Sequence, residues 1–186
     1  MNRLRALLLT AYLIIVLVGG VVYAQSVSNM VAFTEADQKF PYSVHIEKME
    51  IPRFVGNQNY SIICVFRFDN PTRATVVLRS FDFVMSIDNG ESPSDMFAQE
   101  RLLLEKVGTA GTSLGDAGPR VEPGRWINQT FVMVVKAVDS QVLNHTNAQG
   151  DYVVIIWNIV MAYGFTGTSL QRQTSLSPMV EAVPPG

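Results

Sequence analysis

Residues 60–88 read YSIICVFRFDNPTRATVVLRSFDFVMSID. Ile62, Cys64, Phe66 and Phe68 fall on alternate positions, and so do Phe81, Phe83, Met85 and Ile87. Such alternation marks strands with one face buried. Between the two runs lies one polar break, Asp69-Asn70-Pro71-Thr72-Arg73. Pro71 removes a ladder donor and pushes Asn70 toward extended geometry, while the Asp and Asn side chains bond nearby backbone groups. The stretch therefore reads as strand, corner, strand, with Asn70 and Pro71 as structural corner residues.

The same period continues on both sides. Tyr42, Val44 and Ile46 alternate with polar residues and predict a first strand that ends near Ile51-Pro52. Gly56 to Asn59 is turn chemistry. Asp88-Asn89-Gly90 predicts a tight turn. Residues 99–107 predict a short strand, and the glycine-rich stretch 108–118 a surface loop without a phosphate-cradling motif. A turn at Val121 to Arg125 leads to a strand over 126–137 with apolar residues on both faces. A short helix is expected within 138–147. Tyr152 to Tyr163 is the most apolar strand and is expected to be central. Residues 168–175 suit a sheet edge, and 179–186 a loose tail. About seven strands at regular spacing predict an all-β, antiparallel β-sandwich.

The N-terminus has a different character. After Arg3 and Arg5, Ala6 to Ala24 carries no charge and is rich in Leu, Ile and Val. As a helix it would span about 28 Å, close to the hydrocarbon core of a bilayer. A transmembrane helix within 1–33 is the leading expectation, with a spacer over 34–41, the β-sandwich over 42–177 and a tail over 178–186. Arg3 and Arg5 before the run, with Glu35 and Asp37 after it, place the N-terminus in the cytoplasm and the domain outside. The alternative is a signal peptide over 1–24, cleaved after Ala24, which would leave a secreted protein.

The composition excludes several classes of function. Net charge is −2 over 186 residues, which argues against nucleic acid as a partner. Cys64 is the single cysteine, so no intramolecular disulfide forms, and its place between Ile62 and Phe66 reads as a buried thiol. His45, His145 and Cys64 are scattered without metal-ligand spacing. Asp88, Glu91 and Asp95 read as a solvated turn in preference to a calcium site. No nucleophile–base signature is present. No catalytic residue, cofactor or metal site is expected. Three sequons, at Asn59, Asn128 and Asn144, are candidate glycosylation sites, with Asn144 in the most polar connection.

Phe66-x-Phe68-x-Asn70-Pro71-Thr72, followed by Val76-x-Leu78-x-Ser80-Phe81-x-Phe83, resembles the late embryogenesis abundant type 2 domain, also called the water-stress and hypersensitive-response domain. Val121-Glu122-Pro123-Gly124 is similar to that family's later turn before a strand. The resemblance covers roughly Tyr42 to Ser177. It implies an immunoglobulin- or fibronectin type III-like sandwich behind one N-terminal membrane helix. It implies no enzyme activity.

The expected function is thus a non-enzymatic, membrane-anchored, extracytoplasmic module. It touches the lipid bilayer through its helix and binds a protein partner, an envelope component or a second copy of itself. The alternatives are an accessory subunit of a membrane complex, a surface filament, or lipid or small-ligand binding between the sheets.

Overall fold

A computed structural model describes residues 2–88, 102–108, 118–137, 140, 152–166, 170–184 and 186. One continuous helix, α1 (Asn2–Lys39), opens the chain. At about 1.5 Å per residue it is about 57 Å long. Leu, Ile and Val side chains stand exposed around it from Leu7 to Val31. It ends where Pro41 follows, because proline offers no N–H to a continuing helix. A 3-10 turn, Phe40–Ser43, leads into the strands.

Nine strands follow among the described residues: β1 (Val44–Glu50), β2 (Tyr60–Asp69), β3 (Val76–Asp88), β4 (Leu102–Gly108), β5 (Arg120–Val121), β6 (Trp126–Val135), β7 (Tyr152–Phe165), β8 (Gln171–Leu176) and β9 (Met179–Val183). One sheet has the order β1-β2-β6. The other has the order β4-β3-β7-β8, with β5 also on β3 and β9 also on β7. Every pairing is antiparallel.

The alternation in residues 60–88 sets which faces meet. In β2, Tyr60, Ile62, Cys64, Phe66 and Phe68 are buried, and in β3 so are Phe81, Phe83, Met85 and Ile87. The two strands belong to different sheets, and their inner faces pack together. Phe66 meets Phe81 at 4.7 Å and Phe83 at 5.1 Å between ring centroids. Phe131 of β6 reaches the same rings at 5.7 and 5.4 Å. Edge-to-face and tilted aromatic contacts of this kind add to the stabilisation from buried area.

β7 is central, flanked by β3 on one side and by β8 and β9 on the other. Its ladder with β3 slips between Asp82 and Val84, opposite Trp157 to Val160. Asn158 takes the extra residue with φ 50, a left-handed conformation that asparagine tolerates. Ser177-Pro178 separates β8 from β9 opposite the same point, and proline has no N–H for the ladder.

Three expectations need correction. Residues 179–186 are not a loose tail, because β9 pairs Met179–Val183 with Tyr152–Ile156. The backbone of β7 has donors and acceptors left to satisfy there, and β9 fills them. Among the described residues there are nine strands where about seven were expected, because β5 and β9 are short edge pieces without an alternating signature. Residues 34–41 are not a spacer either. They are helix and turn, and Ala36, Phe40 and Pro41 are buried. The expected Asn89-Gly90 turn and most of the glycine-rich loop lie outside the described residues, as does nearly all of the expected short helix.

Candidate functional site

Cys64 is fully buried among apolar neighbours. Burial, followed by the charge of Glu181, pushes its thiol up to about 12, so it is inert as a nucleophile at neutral pH. His45 lies on the outer face of the three-stranded sheet, 3.5 Å from an Asp69 oxygen. Arg67 donates to Asp69 at 3.0 Å and stacks over the Trp126 ring at 4.6 Å. Exposed pairs of this kind each contribute less than about 1 kcal/mol. Asn59 precedes β2 and accepts a hydrogen bond from the Ala137 N–H at 2.9 Å. Asn128 is exposed in β6. Asn144, His145, Glu91 and Asp95 lie outside the described residues. Among the described residues, no group of three or more His, Cys, Asp or Glu side chains is placed to hold a metal ion.

The corner at Asn70 and Pro71 joins the two sheets. Asn70 is 1% exposed. Its Nδ2 donates to the carbonyls of Ala74 at 2.8 Å and Val121 at 2.7 Å. Its Oδ1 accepts from the Thr72 N–H at 3.1 Å and the Thr72 hydroxyl at 2.6 Å. Its backbone N–H donates to the Arg125 carbonyl, and its carbonyl accepts from the Gly124 N–H, both at 2.8 Å. Gly124 sits at φ 67, a turn position that favours glycine. Pro71 is exposed and caps the turn from outside.

The arrangement with most consequence is the junction between α1 and the six-stranded sheet. Phe33, Ala36, Asp37 and Phe40 occupy positions i, i+3, i+4 and i+7, which is one helix face. Phe33 stacks on Phe165 with centroids 4.4 Å apart, and Phe40 meets Tyr163 at 5.4 Å. Between these rings, Asp37 takes a hydrogen bond from the Tyr163 hydroxyl at 3.0 Å on one oxygen. Its other oxygen takes one from Arg172 Nε at 2.8 Å. Burial first, then the bond to Asp37 and its charge, raise the Tyr163 hydroxyl above its ordinary value. Tyr163 therefore stays a donor, which is the form the clamp needs. Ser43 adds a tie by donating its hydroxyl to the Asp69 carbonyl.

Beside the clamp lies an open cleft of about 300 Å³, lined by Asp37, Pro41, Tyr42, Val44 and residues 174–179. Both Asp37 oxygens are engaged. The hydroxyls of Thr174, Ser175 and Ser177 have no histidine among the lining residues to act as a base. What the junction does is mechanical: it fixes the helix direction against the sheets. The run of exposed apolar residues hid it in the sequence, since that run leads directly into the buried stripe. The i, i+3, i+4, i+7 spacing just before Pro41 was the available signal.

No family model matches the chain. No curated protein matches it. Solved structures with some likeness include a Northeast Structural Genomics Consortium target, 12% identical over 76% of this chain and 88% of that one, with a TM-score of 0.44. Another is the putative ApaA protein from Bordetella pertussis, 12% identical over 76% and 92%, with a TM-score of 0.42. A third is a protein from Archaeoglobus fulgidus, 9% identical over 76% and 95%, with a TM-score of 0.38. TM-scores below 0.5 fall short of establishing a shared fold.

Proposed function

We propose that the chain is a non-enzymatic, membrane-anchored module that holds an extracytoplasmic, immunoglobulin- or fibronectin type III-like sandwich at a set orientation to the bilayer. The observation that carries this reading is the continuity of α1. Its apolar residues are exposed from Leu7 to Val31, and the same helix is then packed into the domain core at Ala36 and Phe40. The helix is long and apolar enough to cross a membrane. α1 runs without a break through Ala24 into the docked turns, which suits a retained anchor. Arg3 and Arg5 on one side and Glu35 and Asp37 on the other support the outward orientation. The resemblance to the late embryogenesis abundant type 2 domain agrees with this architecture, as do the sequons for an exported domain.

The reading is tested by alkaline extraction and topology together. The chain is expected to stay with membranes at high pH. A tag after Gly186 is expected to be trimmed by protease in right-side-out vesicles and protected in inverted ones. A chain released by alkali overturns the anchor, and the opposite protection pattern overturns the orientation.

A second reading, association through a strand edge with a protein partner or another copy, has its own observation. β6 ends the order of its sheet and carries Val132 and Val134, 48% and 59% exposed, on its outer side. Val134→Lys is expected to abolish any oligomer seen by sedimentation of the solubilised protein; an oligomer that persists removes this reading.

A further inference from the structure

We propose that one end of the sandwich, carrying Arg73, Arg125, Trp126 and Leu170, rests on the headgroup layer of the bilayer as a second, surface-bound contact. The inference rests on the anchor reading above and adds a face of the domain to it.

The first argument is length. The exposed, uncharged run from Leu7 to Val31 covers about 37 Å of helix, against about 30 Å of hydrocarbon. If residues 6–24 fill the hydrocarbon, residues 25–31 cover about 10 Å, roughly the depth of one headgroup layer. Val27, Met30 and Val31 are exposed in that segment, and Ala32 and Phe33 already pack against the domain core. Ser26 donates back to the Val22 carbonyl at 2.8 Å and Thr34 to Met30 at 2.9 Å, so these hydroxyls do not depend on bulk water. The segment that separates the bilayer from the domain, Gln25 to Val31, carries Gln, Ser and Asn but no charge and is only about 10 Å long.

The second argument is which end faces down. Phe33 meets Phe165 at the end of β7, and Phe40, farther along the helix, meets Tyr163 deeper in that strand. The helix therefore leaves the domain past the end of β7. β2 finishes and β3 and β6 start at this same end, since Asp69 is opposite Trp126 and Val76 is opposite Phe165. Hydrogen bonds between Asn70 and residues 124–125 hold its loops together. Lys39 first, through its hydrogen bond, and also the charge of Arg73 hold the Glu35 carboxyl below its ordinary value, which puts Arg73 near the exit of the helix.

The third argument is chemistry. The described acids named here have partners: Glu35 pairs with Lys39, Asp37 with Arg172, Asp69 with Arg67, and Glu122 accepts from the Thr75 hydroxyl at 2.6 Å. Arg73 and Arg125 are exposed, and neither is paired with a described acid. Trp126 is 51% and Leu170 49% exposed. Arginine for lipid phosphate together with tryptophan and leucine at the boundary is the composition of an interfacial contact.

The chain's two tryptophans provide the test. Trp157 lies in β7, about 26 Å back from Phe165 at about 3.3 Å per residue. Full-length Trp157→Phe and Trp126→Phe proteins are reconstituted in phosphatidylglycerol-containing vesicles with a nitroxide at the headgroup. Trp126 emission is expected to be quenched about threefold more than Trp157 emission, and Arg73→Glu/Arg125→Glu to remove most of the difference. Vesicle flotation under alkali is run on the same samples. Protein that fails to float defeats the anchor reading itself. Protein that floats with Trp126 and Trp157 quenched alike overturns the surface contact alone. Trp126 shielded from aqueous acrylamide yet unquenched by the lipid probe means a protein covers this end, and also overturns it.

Discussion

The two parts of α1 share one backbone geometry and meet different surroundings. From Leu7 to Ala24 the helix is uncharged, apolar on nearly every side and exposed, with Leu13 at 60%, and the exposed turns from Gln25 to Val31 mix Gln, Ser and Asn with Val27, Met30 and Val31. From Ala32 to Phe40 only one face is apolar, and that face is buried against the strands, with Ala36 and Phe40 at 0%. A helix that is apolar all round asks for lipid, whereas a stripe asks for a partner surface in the same chain. The contrast shows one helix that is long and apolar enough to cross a membrane in its first part and a core element in its last turns. Under the anchor reading proposed above, the join between the two parts would fix the domain against the bilayer.

The sharpest way to break the contrast is Phe40→Ala, which empties a fully buried site beside Tyr163. It is expected to cost about 3–5 kcal/mol of domain stability, read by chemical denaturation in detergent. A loss below about 1 kcal/mol would mean the last turns of the helix do not belong to the core. Asn70→Ala gives a yardstick at a site outside the helix. It strands two carbonyls and the Thr72 groups that the side chain now satisfies, and is expected to cost about 2–4 kcal/mol. Pro71→Ala, at an exposed position, is expected to cost about 1 kcal/mol or less by the same measurement.

Asp37→Asn probes the clamp. The Tyr163 hydroxyl keeps a partner of reduced strength and Arg172, more than half exposed, loses its counter-charge, so about 1–2 kcal/mol is expected. Alkali sharpens the same point. Cys64 is raised by burial to about 12 from 9.0, and Tyr163 and Tyr152 are raised above 10.0, with burial the largest cause for each. The folded chain thus holds protons that the unfolded chain gives up first. Stability should be full below about pH 9 and should fall as pH rises from there through about 12. Between about pH 10 and 12 the fall should be shallower in Asp37→Asn, because the Asp37 charge raises Tyr163 in the native state. A denaturation midpoint that is flat across this range would contradict the assignment. At the other extreme, Leu13→Ala should change domain stability by less than about 0.5 kcal/mol, since that side chain touches only the surroundings of the helix.

Much of the architecture was legible in residues 60–88. The buried positions of β2, and Phe81, Phe83, Met85 and Ile87 of β3, follow from period-two alternation, whereas Val77 and Ser86 are buried off it, and Pro71 and Asn70 mark the break between the strands. The positions of the apolar helix and of central β7 were equally plain, because long apolar runs allow few alternatives. The junction was harder to read. Asp37 meets Tyr163 and Arg172 across 126 and 135 positions of sequence, and no local pattern announces a contact at that separation. β9 escaped for a related reason: Met179–Val183 has no clean alternation, and only the free edge of β7 makes it a strand.

Local sequence settles the inner faces of β2 and β7, the corner at Asn70-Pro71 and the membrane-compatible character of α1. These depend on local period, on proline chemistry and on hydrophobicity, all of which act within a few residues. Long-range packing settles that β2 and β3 lie in different sheets, that β9 completes β7, and that α1 and the turn after it are bolted to the domain through Phe33, Asp37 and Phe40. Those outcomes follow from which distant backbone groups and apolar faces remain to be satisfied once the neighbouring elements are in place.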